Sequence, residues 1–154
     1  MAKTATAARL IAEIQAPTGP FVASYGPELS ESPDGRLYFA MSFCTCRNPG
    51  PDCCQKTISR ISITSTGGIE RRDIVGPEPG LVRDLVATSG EVLWADLDAL
   101  GRWSGLDGSR GTQTTPGRFP GPMTVEENNV YWCDPQISGD MAGDDGLILR
   151  RAIW

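Results

Sequence analysis

Histidine does not occur anywhere in this chain of 154 residues. Its absence excludes Ser-His-Asp and Cys-His catalysis, histidine-ligated zinc and the usual general base near neutral pH. An enzyme built from these residues would have to work with carboxylates, cysteine, lysine or tyrosine. Long apolar runs are also missing, so nothing approaches the roughly 20 residues of a bilayer-spanning helix. The opening stretch MAKTATAARLIAEIQAP carries a lysine but no sustained apolar core, and it does not read as a secretory signal. Basic residues are scattered or paired, as in Arg71-Arg72 and Arg150-Arg151, within a net charge of −5. Such a chain gains no counterion-release affinity for nucleic acid, and anionic membranes repel it. Nucleic acid and membrane are therefore excluded as partners.

What is plentiful is turn-forming residue: 18 Gly and 12 Pro. That density favours many short strands joined by turns, an all-β class within one domain. Three stretches then repeat one pattern, GRLYFAM from Gly35, GEVLWAD from Gly90 and NNVYWCD from Asn128. Phe39, Trp94 and Trp132 correspond in them, followed by Ala40, Ala95 and Cys133. Each copy is followed by a second block, ISRISI (58–63), LGRWSGL (100–106) and ILRRAI (148–153), with Arg60, Arg102 and Arg150 in third place. Gly-Pro pairs at Gly26-Pro27, Gly76-Pro77 and Gly121-Pro122 precede the units, with short apolar entry segments such as LVRDLVA (81–87) and PMTV (122–125). Outer strands read as IERRDIV (69–75) and TQTTPGRF (112–119). The unit is thus four short strands: entry, aromatic, arginine and outer. From Trp94 to Trp132 is 38 residues, and a period near 40 with four strands per repeat is the signature of a β-propeller blade.

The motifs VLWAD and VYWCD, each followed by an arginine strand, resemble the Tyr-Trp-Thr-Asp repeats of six-bladed propellers. The low-density-lipoprotein-receptor type and related bacterial repeats are the examples. The resemblance implies a propeller whose aspartate, here Asp96 and Asp134, helps to tie neighbouring blades, and a protein that mostly binds other proteins. The first copy departs from the motif, reading LYFAM without an aspartate.

The expected organisation is one half-propeller over 1–154. Blade 1 covers 21–75 with a cysteine-rich insertion at 42–57, blade 2 covers 76–120, and blade 3 covers 121–154 without its outer strand. The segment ARLIAEI (8–14) alternates like an outer strand and would supply the missing one. Three blades are too few to close a ring, and an open arc leaves two apolar blade faces. Covering a face of about 600 Å² at roughly 25 cal/mol per Å² contributes on the order of 15 kcal/mol gross, much of it offset by association costs. The expectation is a homodimer forming a six-bladed ring, each 8–14 strand completing the other chain's third blade. The competing reading is some other oligomer, or a piece of a longer propeller.

Candidate chemistry is sparse. Cys44, Cys46, Cys53 and Cys54 lie within eleven residues. Two disulfides, a zinc or copper(I) ion, or free thiols each fit that cluster. The spacing strains a tetrahedral site, and adjacent cysteines rarely bridge each other, which favours pairing 44 and 46 with 53 and 54 in either order. Disulfides would suit an extracytoplasmic site. Cys133 reads as a small core residue. Asp134, Asp140, Asp144 and Asp145 in a Gly-rich loop have the oxygen chemistry of a Ca²⁺ site but not the EF-hand spacing, so a solvated loop is expected. Asp96 and Asp98 read as turn residues rather than an acid–base pair. Trp103 and Trp154 are the candidates for stacking a sugar or small ligand, whereas Trp94 and Trp132 belong to blade packing. The reading is a non-catalytic scaffold or protein-binding module without a cofactor. A lectin-like propeller is the alternative, and a metal-dependent lactonase-like hydrolase the weaker one.

Overall fold

A computed structural model describes residues 19–21, 23–48, 52–115, 121–134 and 147–154. The candidate closing strand 8–14, Asp140, Asp144 and Asp145 lie outside the described residues. Among those described there is no helix, and eleven strands form three antiparallel sheets. Sheet one is a meander of β1 (Ala23–Glu31), β2 (Leu37–Cys44), β3 (Cys54–Ile63) and β4 (Ile69–Pro79). Sheet two repeats that order with β5 (Asp84–Ala87), β6 (Glu91–Ala95), β7 (Ala99–Ser104) and β8 (Arg110–Thr114). Sheet three holds β9 (Met123–Glu126), β10 (Asn129–Asp134) and β11 (Leu147–Ala152), with β10 central.

The hairpins follow from turn chemistry. Between β1 and β2, Gly35 takes a φ of +78°, which an L side chain rarely adopts. The Ser32 hydroxyl accepts from the Arg36 amide at 3.2 Å and closes that turn. Between β7 and β8, Gly108 does the same at +72°, beside Asp107, whose carboxylate accepts the Ser109 amide at 2.9 Å. That bond, with further hydroxyl contacts, holds the Asp107 carboxyl down at about 2. Gly121-Pro122 directly precedes β9, but the other two Gly-Pro pairs lie inside strands. Gly26-Pro27 lies inside β1, where the register shifts between Tyr25 and Glu28, and Gly76-Pro77 lies inside β4. Both are edge strands, where a proline costs no ladder hydrogen bond to a second neighbour.

The aligned positions fall into one register in all three sheets. Phe39 stands opposite Ser59, Trp94 opposite Gly101 and Trp132 opposite Leu149. Arg60 pairs with Tyr38, Arg102 with Leu93 and Arg150 with Tyr131. Side chains alternate between faces, and the two built cores show which face goes where. Tyr38, Ala40 and Ile58 of sheet one pack on Leu85, Val92 and Trp94 of sheet two. Ala95 and Leu100 of sheet two pack on Met123, Val130 and Trp132 of sheet three. In each junction a small residue faces the following sheet and the tryptophan after it faces back.

Candidate interaction surfaces and the cysteine hairpin

Both ends of the expected insertion at 42–57 are strand. β2 runs on to Cys44 and β3 starts at Cys54, directly opposite each other, so the hairpin connection is only 45–53. Cys44 is bonded to Cys54 and Cys46 to Cys53, with Cα separations of 4.1 and 5.9 Å. The inner bridge is buried against Leu81 and Leu97, while the outer one is only half-buried. The cluster is therefore a double staple at one end of sheet one. A cavity of about 320 Å³ opens beside it, lined by Phe21, Thr45, Asp52, Gln55 and Pro79 together with the disulfides.

Lys56, two residues beyond the inner bridge, is the polar residue that sequence reasoning missed. Its ammonium pairs with Asp96 of sheet two, with Glu78 at 3.7 Å on the other side, and lies 5.9 Å from the centre of the Trp94 ring. The other Asp96 oxygen accepts the amides of Leu81 at 3.0 Å and Leu97 at 2.8 Å. Asp96 thus joins two sheets and closes its own turn. Its register partner Asp134 ends β10, opposite Leu147. Counting 42–57 as a loop hid Lys56; the alternation Lys56, Ile58, Arg60 was the available signal, since it puts all three on the face turned to sheet two.

Backbone amides make further ties between sheets. Ala87 donates to the Ser30 hydroxyl and Val82 to the Ser42 hydroxyl, both at 2.9 Å. Met123 donates to Asp84, joining the first strand of sheet three to the first strand of sheet two. Arg110 reaches back from β8 to Glu78 at 2.9 Å and to the Ile74 carbonyl at 2.8 Å. The repeated arginines face forward. Arg102 pairs with Glu91 and donates to the Trp154 carbonyl, Arg60 buries its Nε without a hydrogen-bond partner, and Arg150 is exposed. Glu28 lies on β1 near Asp84. Burial first, and the Asp84 charge second, raise its carboxyl above the ordinary value.

The tryptophans are packing residues in this arrangement. Trp94 and Trp132 sit in the two cores. Trp103 packs against the first core from β7, and Trp154 against the second, where its ring edge lies against Gly111.

Two faces lack a following or preceding sheet among the described residues. Ala40 and Ala95, at 0% exposure, are each covered by the next sheet. Cys133, third in that series, is exposed. This corrects its expected place in the core: the position is buried only when another sheet stacks in front of it. Beside it on β11, Ile148 is 75% exposed. At the other end, the back of sheet one presents Leu29 at 66% and Ile63 at 61%, with Ile69 beside Ile63. Phe39 on that same side is itself buried, roofed by the Arg71 guanidinium at 5.2 Å from its ring.

Among the described residues, no three His, Cys, Asp or Glu side chains stand together as a metal-binding group. No protein-family model matches the chain, and no curated protein matches it.

Proposed function

We propose that this chain is a non-catalytic scaffold or protein-binding module, a half-propeller that self-associates into a six-bladed ring. The observation that carries the reading is the stacking of successive sheets in one repeated register, with exposed aliphatic side chains on the outermost face at either side of the described residues. Ala40 and Ala95 are sealed by a following sheet, and Cys133 at the same position is not. First strands β1, β5 and β9 are neighbours, tied through Ser30 and Asp84, as the channel-side strands of a propeller would be. Exposed patches of this kind rarely persist on a soluble monomer. In this reading the cysteine hairpin and the turns at the strand ends are the loops offered to other proteins.

Light scattering coupled to size-exclusion chromatography tests the proposal. A species of twice the chain mass at micromolar concentration is expected, and a stable monomer there overturns the ring.

A further inference from the structure

We infer that the ring closes head to tail: the front of sheet three of one copy seats on the back of sheet one of a second copy, bringing Cys133 and Ile148 against Leu29 and Ile63. The inference rests on the self-association proposed above and names its geometry. Both halves of such a junction already exist inside the chain. Each internal junction sets a small residue on the leading sheet toward a large aromatic on the trailing one, Ala40 toward Trp94 and Ala95 toward Trp132. The remaining members of the series differ: Cys133 is exposed on the front of sheet three, whereas Phe39 on the back of sheet one is 2% exposed beneath Arg71. Phe39 is thus already packed within its own sheet, and Cys133 is the member of the series still open to a partner.

The flanking residues extend the match. Ile148 stands beside Cys133, and Leu29 beside Phe39, so two exposed aliphatic side chains are covered by one docking event. Arg150 occupies the register position from which Arg102 reaches the Trp154 carbonyl just beyond β11, and it is poised to make a like contact across the junction. Because each copy offers one front and one back, the contact is heterologous, and two copies use both contacts at once to close. A face-to-face dimer would instead use one patch twice.

Ile148→Asp and Leu29→Asp separate these geometries. Both sites are exposed, so the variants are expected to fold, and circular dichroism with a count of protected thiols checks that they do. Each variant alone is expected to weaken self-association by about a hundredfold, since a charge sits in both junctions of its dimer. A mixture of the two is expected to recover a heterodimer, because one of its two junctions is unsubstituted. Cys133 alkylation in the native protein should slow as concentration rises and the junction forms. If either variant dimerises as the unmutated protein does, or the mixture stays monomeric, or Cys133 reacts equally in dimer and monomer, head-to-tail docking is overturned while self-association stands. An unmutated chain that is itself monomeric overturns both.

Discussion

The Lys56 ammonium on β3 and the Asp96 carboxylate after β6 form a mostly buried ion pair that fastens sheet one to sheet two. Only 9% and 14% of the two side chains remain exposed. Removing one member strands the other away from water, and that penalty exceeds the net worth of the pair. Asp96→Asn is therefore expected to destabilise the fold by about 3 kcal/mol, the low end for a broken buried pair because Glu78 remains nearby. Lys56→Met is expected to cost less, since the two backbone amides still satisfy the carboxylate. Urea unfolding of the two variants checks the order; equal losses would contradict it.

Glu28 gives the fold a pH dependence of definite sign. Its carboxyl is raised above 4.5 by burial first and by Asp84 second. The folded chain therefore holds more protons than the unfolded chain between 4.5 and the raised value. Stability falls as pH climbs through that window and stays reduced above it. Glu28→Gln is expected to stabilise the protein at neutral pH and to lose that advantage as pH drops below 4.5. Urea midpoints across the acid range measure this, and a pH-independent difference would contradict it.

Gly101 has no room for a methyl group. A Cβ there would overlap the indole of Trp94, which stands opposite Gly101 across the ladder. Gly101→Ala must push the ring into the first core, and overpacking of that kind costs about 1–3 kcal/mol. The tryptophan emission should shift with the loss in stability. An alanine variant with native emission and midpoint would show that the ring has space to move.

The cysteines should divide four to one. Without reductant, only Cys133 is expected to take up an alkylating reagent; after denaturation and reduction, all five should. The bridges should also differ. The buried Cys44–Cys54 link shares a cluster with Leu81 and Leu97, so its replacement by two serines loses packing as well as the roughly 2–3 kcal/mol of a short closed loop. The outer Cys46–Cys53 link is expected to cost less to remove, and differential unfolding of the two double variants compares them.

The repeat was legible because strand alternation has a period of two and marks its own register. The alignment of Phe39, Trp94 and Trp132 in the sequence has the same offset as the ladders. The cysteine pairs were legible as a set of two pairings, but which pairing forms depends on Cys44 and Cys54 ending up opposite each other at the end of a lengthened hairpin. Lys56 was legible only through its alternation with Ile58 and Arg60. Its residue type suggests a solvated loop, and only the extension of β3 turns it inward toward Asp96.

By itself the sequence determined the all-β class, the strands around the repeated aromatics, and the turns at Gly35 and Gly108, all properties set by neighbours a few residues apart. Tertiary structure alone decided whether a given position is wet or dry. Ala40, Ala95 and Cys133 are alike in strand register, yet two are sealed and one is open, because burial depends on what stacks against a sheet. That neighbour is not encoded in the strand itself.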